Sequence, residues 1–124
     1  MSKPLAVIDI VNDDLNVLMS LGRAVCAYGY RVCMFNSGKQ YLETVEEGKA
    51  SCVVVGIGLG GTTISGLELG RAIASSRRAI PIVFVSSAPH PAIREEAMAI
   101  GAVAYLREPV SSEELIAAIR TCTA

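Results

Sequence analysis

Short, largely apolar runs alternate along the chain with segments in which apolar residues recur at helical spacing. Short polar or glycine-containing segments separate them. Residues 5–10 form a short and largely aliphatic run, which is typical of a strand buried in a parallel sheet. Apolar residues then recur at helical spacing from Leu15 to Tyr28, and Gly29 is well placed to end that helix. Four later segments also have strand character, namely residues 30–35, 52–57, 82–86 and 103–106.

A helical repeat follows each predicted strand. Ser37 is placed to cap the second helix, and Ser111 and Ser112 precede Glu113 and Glu114 in a capping arrangement for the last one. Before that last helix, the predicted helices cover residues 15–28, 37–48, 66–76 and 92–100.

Five strand–helix units with short connections predict a parallel sheet with helices on both faces. Because crossover connections are right-handed, only a few topologies remain, and the strand order 2-1-3-4-5 is a common one. We therefore predict an α/β fold, a single doubly wound (βα)5 flavodoxin-like sandwich of three layers. The predicted domain covers residues 1–124.

The composition narrows the range of functions. The formal net charge is -1, with 11 Lys and Arg against 12 Asp and Glu, so the chain has no electrostatic footprint for nucleic acid or for an anionic membrane. Four cysteines without a Cys-x-x-Cys pair, and one histidine, do not support a zinc site. No apolar run approaches the length of a membrane span. We expect a cytoplasmic protein with isolated thiols.

Three short phrases carry a family resemblance. They are residues 27–32 (AYGYRV), residues 65–69 (SGLEL) and residues 101–109 (GAVAYLREP). In this order and spacing they resemble response-regulator receiver domains of two-component signalling, in wording closest to those that precede LuxR-type DNA-binding domains. The resemblance covers the whole chain. It implies a signalling module and not an enzyme, with a set of functional positions at the carboxyl ends of the strands.

The resemblance assigns these positions residue by residue. Two adjacent acids that help to hold Mg²⁺ fall on Asp9 and Ile10, and the phosphoryl-accepting aspartate falls on Gly56. A hydroxyl falls on Ser86, and a lysine falls on Glu108. The resemblance also implies a switch aromatic at Tyr105 and a cis peptide at Glu108–Pro109, and the loop after residue 57 is longer than the usual pattern.

These departures predict a degenerate receiver, or pseudo-receiver, that does not accept phosphate. Glycine has no nucleophile, and Glu108 would repel a phosphoryl group that a lysine would stabilise. Asp9 beside Ile10 is a poor Mg²⁺ site, so we expect no metal and no cofactor. Asp9 is expected to lie near Glu108. The two carboxylates would then form a coupled pair or a weak cation site, unless Glu108 turns to solvent or to a basic side chain.

Protein–protein contact is the predicted mode of action. The resemblance implies a surface made by helix 4, strand 5 and helix 5, on which Arg94, Tyr105, Arg107 and Arg120 are candidates for contact. The partner would be a second copy of the chain or another protein, such as a histidine kinase or an output domain. Neither nucleic acid nor a membrane is an expected partner of this domain.

Two alternatives remain open from the residues alone. Gly56 to Gly61 matches G-x-G-x-x-G after a strand, which favours a nucleotide- or ligand-binding module. However, it follows the third strand, and the next strand offers no acid for a ribose. The other alternative is a receiver that is phosphorylated at a non-standard residue, for which Asp9, Asp13 and Ser86 are the candidates.

Overall fold

The computed structural model describes residues 6–44, 50–57, 65–76, 80–87 and 91–123. Strands and helices alternate through these residues. Their bounds are β1 (Val7–Val11), α1 (Leu15–Ala27), β2 (Arg31–Phe35), α2 (Gly38–Thr44), β3 (Ala50–Ile57), α3 (Gly66–Ala74), β4 (Ile82–Ser86), α4 (Pro91–Ile100), β5 (Ala104–Arg107) and α5 (Ser112–Thr123).

The strands form one parallel sheet in the order β2-β1-β3-β4-β5. This confirms the predicted doubly wound α/β fold and its strand order. The central strands β3 and β4 are aliphatic at successive positions because helices cover both of their faces, so side chains pointing either way are buried.

Alternating positions along the strands supply two separate cores. Ile8, Ile10 and Val54 point to the side on which α1 and α5 pack. Val11 and Val53 point to the other side, where α2, α3 and α4 pack. The sheet thus separates an α1–α5 core from an α2–α3–α4 core, and a charged residue in the middle of a central strand must enter one of them.

Polar side chains cap the first turns of the helices, and Ser37 and Ser111 do so as the sequence predicts. The Asp14 side chain accepts from the backbone N–H of Asn16 at 2.9 Å and of Val17 at 3.2 Å, which caps α1. Before α2, the Ser37 hydroxyl accepts from the backbone N–H of Gln40 at 3.0 Å. Before α5, the Ser111 hydroxyl accepts from the N–H of Glu114, also at 3.0 Å. These contacts satisfy N–H groups that the first helical turn leaves without partners.

The difference from the sequence-based boundaries that matters for the carboxyl ends of the strands lies in β1. The predicted strand covered residues 5–10, whereas the observed strand continues to Val11. The position at which the chain leaves the sheet is therefore Asn12. The predicted part of helix 2 beyond Thr44 and the loop 58–64 lie outside the described residues.

Helix α3 approaches the sheet more closely than a side chain would allow. A Cβ on Gly66 would overlap the carbonyl oxygen of Gly56 and lie 2.9 Å from Cα of Ile57. A Cβ on Gly70 would lie 2.5 Å from Cζ of Phe84 on β4. Both glycines are buried, and together they let α3 rest on the ends of β3 and β4.

Candidate functional site at the carboxyl edge of the sheet

The carboxyl ends of four strands meet at one edge, where open parallel sheets bind ligands. Val11 of β1 lies beside Val55 of β3, so the same register continued by one residue places Asn12 beside Gly56. Ser86, the last residue of β4, lies beside Ile57 on one side and Arg107 on the other. The edge therefore brings together Asn12, Gly56 and Ser86.

Asp9 and Ile10 do not lie at this edge, so their predicted placement is wrong. Asp9 is the third residue of β1 and lies between Cys33 and Val53 in the sheet. Its side chain is only 4% exposed and enters the α2–α3–α4 side. Ile10 is completely buried in the α1–α5 core. Because β1 runs to Val11, both residues lie inside the sheet.

The Asp9 carboxylate has a specific buried partner. The Tyr41 hydroxyl on α2 donates a hydrogen bond of 2.9 Å to Oδ2 of Asp9, and Tyr41 is 1% exposed. Burial raises the pKa of Asp9, and the hydrogen bond from Tyr41 partly opposes this rise. Burial together with the Asp9 charge also raises the pKa of Tyr41 far above its usual range. This pair belongs to the interior of the protein.

The polar group that ends β1 is Asn12-Asp13-Asp14. Asn12 is 5% exposed, its backbone N–H donates to the carbonyl of Phe35 at 3.0 Å, and its Oδ1 accepts from the N–H of Asp14 at 2.9 Å. Asp13 is half-buried, whereas Asp14 is exposed and caps α1. The carboxylates available at the end of β1 are therefore Asp13 and Asp14.

Glu108 faces Asp14 and not Asp9 as expected. Its backbone N–H donates to the carbonyl of Ser86 at 2.8 Å, which places it at the edge directly after β5. Partial burial raises the pKa of Glu108, and the negative charge of Asp14 adds to this rise. The carboxylate pair of Asp9 and Glu108, one of the two readings open from the sequence, is thus wrong. The cis peptide between Glu108 and Pro109, which the resemblance implied, is present.

Gly56 is buried one residue before the end of β3 and lies beside Val85 of β4. The close approach of Gly66 covers its carbonyl group with the first turn of α3. Of the predicted glycine pattern, residues 58–61 lie outside the described part of the chain. Ser86 is 3% exposed and engaged with its surroundings.

Asp13 and Asp14 are the carboxylates at the end of β1, and Mg²⁺ is usually held by one or two carboxylates together with phosphate oxygens. Among the described residues, no three His, Cys, Asp or Glu side chains are grouped so that they could hold a metal ion. A cavity of about 450 Å³ lies beside the edge, between α1 and the segment after β5. It is lined by Asn16, Val17, Ser20, Leu21, Glu108, Pro109 and Val110.

The predicted contact residues on α4, β5 and α5 differ in their surroundings. Arg94 and Arg107 are exposed, and Tyr105 is half-buried and packs against the α2–α3–α4 core. The guanidinium of Arg120 lies 5.8 Å from the ring centre of Tyr28, at the end of α1. Arg120 of α5 is thus engaged with the end of α1.

Two exposed apolar residues on the same surface were missed by the sequence reasoning. Met98 on α4 is 42% exposed, and Val103 just before β5 is 36% exposed. Met98 directly follows Ala97, the buried residue of α4, and is turned about 100° from it around the helix.

Comparison with known proteins agrees with this architecture. The response regulator receiver domain family matches residues 8–120, and the chain belongs to that family. It is similar to the response regulator protein TmoT of Ectopseudomonas mendocina, with 33% identity over 94% of this chain and 52% of the relative. It is also similar to nodulation protein W of Bradyrhizobium diazoefficiens, with 30% identity over 95% of this chain and 51% of the relative.

Solved structures show the same fold. A CheY-like receiver domain from Methanospirillum hungatei has a TM-score of 0.84 at 24% identity, over 94% of this chain and 92% of that one. A LuxR-family response regulator from Staphylococcus aureus has a TM-score of 0.85 at 21% identity, over 97% of this chain and 100% of that one.

The chain is a receiver domain of the kind found in two-component response regulators. It spans about half the length of the curated relatives it matches. Receiver domains interact with histidine kinases and output domains. In the described ranges, none of the helices has both the length and the apolar character to cross a bilayer.

Proposed function

We propose that this receiver signals through protein–protein contact without accepting a phosphoryl group at the end of β3. The observation that carries the proposal is Gly56, which stands at the edge beside Asn12 and offers no side chain to attack phosphorus. The carbonyl group of Gly56 is covered by Gly66, so the backbone near the end of β3 is packed against α3.

The charge at the same edge supports this proposal. Glu108 follows β5, and the charge of Asp14 already acts on it. A phosphoryl group brings further negative charge, and like charges in a partly buried setting repel strongly. A site for phosphoryl transfer needs the opposite arrangement, with a cation placed where the negative charge develops.

The position of Asp13 favours a second candidate, a receiver phosphorylated at a non-standard residue. Asp13 is a half-buried carboxylate at the end of β1, and Asn12 before it is held in place by two hydrogen bonds. A carboxylate can act as a nucleophile toward a phosphoryl donor. This candidate uses the same edge but a different strand.

Intact-mass measurement after incubation with a small acyl phosphate and Mg²⁺ tests both candidates. We expect the mass of the wild-type protein to stay unchanged, while a receiver with an intact aspartate, treated in parallel, gains one phosphoryl group. A stable gain in the wild type would contradict the proposal. If that gain then disappears in Asp13→Asn, phosphorylation at Asp13 is the better account.

We further propose that the contact surface is the α4–β5 part of the domain, around Met98, Val103 and Arg107. These residues are exposed and combine apolar area with an arginine, a composition typical of interface centres. Met34 on the edge strand β2 has similar exposure, 45% against 42% for Met98, and lies at the far end of the sheet.

Sedimentation velocity across a range of concentrations, together with capture of interacting proteins from the native cell, tests this surface. Met98→Asp should weaken self-association or remove specific partners, because a charge in an apolar contact is costly to bury. Met34→Asp is the matched control and should leave both unchanged. Equal behaviour of the two variants would place the contact elsewhere.

A further inference from the structure

Two of the cysteines lie against each other in the α1–α5 core. Cys52 is the third residue of β3 and is completely buried. Cys122, near the end of α5, is half-buried and packs against the same core. Their two thiols share a side-chain hydrogen bond. All four cysteines are free thiols, and Cys26 and Cys33 are exposed.

The contact makes the two thiols chemically unequal. The hydrogen bond to Cys122 and burial raise the pKa of Cys52. The same hydrogen bond lowers the pKa of Cys122, because the Cys52 thiol donates to the sulfur of Cys122 and stabilises its thiolate. Cys122 is also the partner that solvent can reach. The thiol that solvent can reach therefore has a second thiol directly behind it.

We propose that Cys52 and Cys122 form a redox modification site, which hydrogen peroxide or a related hydroperoxide converts from a dithiol to an intramolecular disulfide. This site is separate from the carboxyl edge and does not depend on the function proposed for it. An accessible thiolate next to a resolving cysteine is the arrangement that senses peroxide in proteins.

The chemistry balances with one peroxide per disulfide. The Cys122 thiolate attacks one peroxide oxygen, the O–O bond breaks, and hydroxide leaves as Cys122 becomes a sulfenic acid. The sulfur of Cys52 then attacks the sulfur of Cys122. An S–S bond forms, the S–O bond breaks, and the leaving hydroxyl takes the proton of Cys52 as water. The two thiols have lost two electrons, and the peroxide has gained them.

The disulfide would fix one end of α5 to the centre of the sheet. Helix α5 packs against β3 and against α1, and it belongs to the predicted contact surface together with α4 and β5. An S–S bond requires the sulfurs to approach to about 2.05 Å, closer than in the hydrogen-bonded thiols. Oxidation therefore tightens the packing of α5 on β3.

A variant with only this cysteine pair gives a direct test. Cys26→Ser combined with Cys33→Ser removes both exposed thiols and keeps Cys52 and Cys122. After treatment with hydrogen peroxide, we expect intact mass to fall by two hydrogens, both free thiols to disappear together, and dithiothreitol to restore them. We also expect the oxidised form to melt at a higher temperature, because the cross-link closes a long loop.

The matched control adds Cys122→Ser to this background, and Cys122→Ala replaces it if the serine variant is unfolded. Neither should form the disulfide or show the shift in melting temperature on oxidation. Three outcomes in the two-cysteine variant would overturn the proposal. These are sulfinic acid on Cys122 without loss of the Cys52 thiol, a disulfide between two chains, and no reaction of the folded protein.

Discussion

At the scale of single residues, Asp9 sets a carboxyl group in the interior of a central strand, opposite the hydroxyl of Tyr41. Buried carboxyl groups are uncommon because an ionised one loses its hydration. One hydrogen bond does not replace that hydration, so burial dominates and the pKa of Asp9 is raised. The neutral form of Asp9 thus fits the folded state better than the charged form does.

Asp9→Asn should make the protein more stable at neutral pH and should reduce the dependence of its stability on pH. In the wild type, the folded state holds the Asp9 proton at pH values where the unfolded chain has released it. Its free energy of unfolding therefore falls as pH rises from the unfolded pKa, about 3.9, through the raised folded pKa. Urea unfolding between pH 4 and 8 measures this slope in both proteins.

Two further variants separate the carboxyl group from the hydrogen bond. Asp13→Asn removes a half-buried carboxylate at the carboxyl edge and is the control for the loss of a carboxyl group as such. Tyr41→Phe removes the donor and should cost about 1–3 kcal/mol, because a buried acceptor loses its partner. If the free energy of unfolding depended more steeply on pH in Asp9→Asn than in the wild type, burial would not control the pKa of Asp9.

Gly66→Ala should destabilise the fold by about 1–3 kcal/mol, even though alanine is the better helix former. The new methyl group would meet backbone atoms of Gly56 and Ile57, which cannot rotate away. Gly22→Ala on α1 is the matched control, since its nearest atom is Sδ of Met34 at 2.8 Å, on a flexible and exposed side chain. Thermal unfolding should show a clear loss for Gly66→Ala alone, and equal losses would contradict this account.

At the scale of elements, α3 is held by its contact with the sheet more than by its contact with α4. Gly70 faces the ring of Phe84, whereas Arg71, the next residue, forms an ion pair of 2.7 Å with Glu96 on α4. Both charged side chains of this pair are more than half exposed. Such exposed pairs contribute about 0–1 kcal/mol, less than close packing against a buried ring.

Gly70→Ala should therefore lower the free energy of unfolding more than Arg71→Ala does, although Arg71→Ala removes an ion pair. We expect Gly70→Ala to destabilise by at least about 1 kcal/mol, because its methyl group displaces the helix from Phe84. Arg71→Ala should cost less than about 1 kcal/mol, and high salt should reduce that cost further. Denaturant unfolding at low and high salt measures both, and a larger loss for Arg71→Ala would show that α4 holds α3.

The elements were predictable because each is a local pattern. The bounds of β4 agree with the prediction, and the caps at Asp14, Ser37 and Ser111 use side chains that the sequence displays next to each helix. The end of β1 was not predictable in this way. In the sequence, Asp9 looks like the acid that ends a strand. Its buried position depends on Tyr41, which lies 32 positions further along the chain, and this contact is formed only in the fold.

At the scale of the whole molecule, the corrected position of β1 changes the account of the carboxyl edge. Ile10 is no longer an altered position of the site, because it belongs to the α1–α5 core. Asp13 and Asp14 supply carboxylates there instead. In the function that we propose, the glycine at position 56 and the acid at position 108 then separate the edge from a phosphoryl-accepting site.

Under the proposed function, these two positions predict which substitutions would allow phosphorylation at the end of β3. Gly56→Asp alone should not gain a phosphoryl group from an acyl phosphate with Mg²⁺, because Glu108 still repels the negative charge. Gly56→Asp combined with Glu108→Lys should gain one, measured as intact mass, since a nucleophile and a stabilising cation then share the edge. Gly56→Asn with Glu108→Lys is the matched control and should gain none. Phosphorylation of the single Gly56→Asp variant, or its absence in a folded double variant, would refute the role of Glu108.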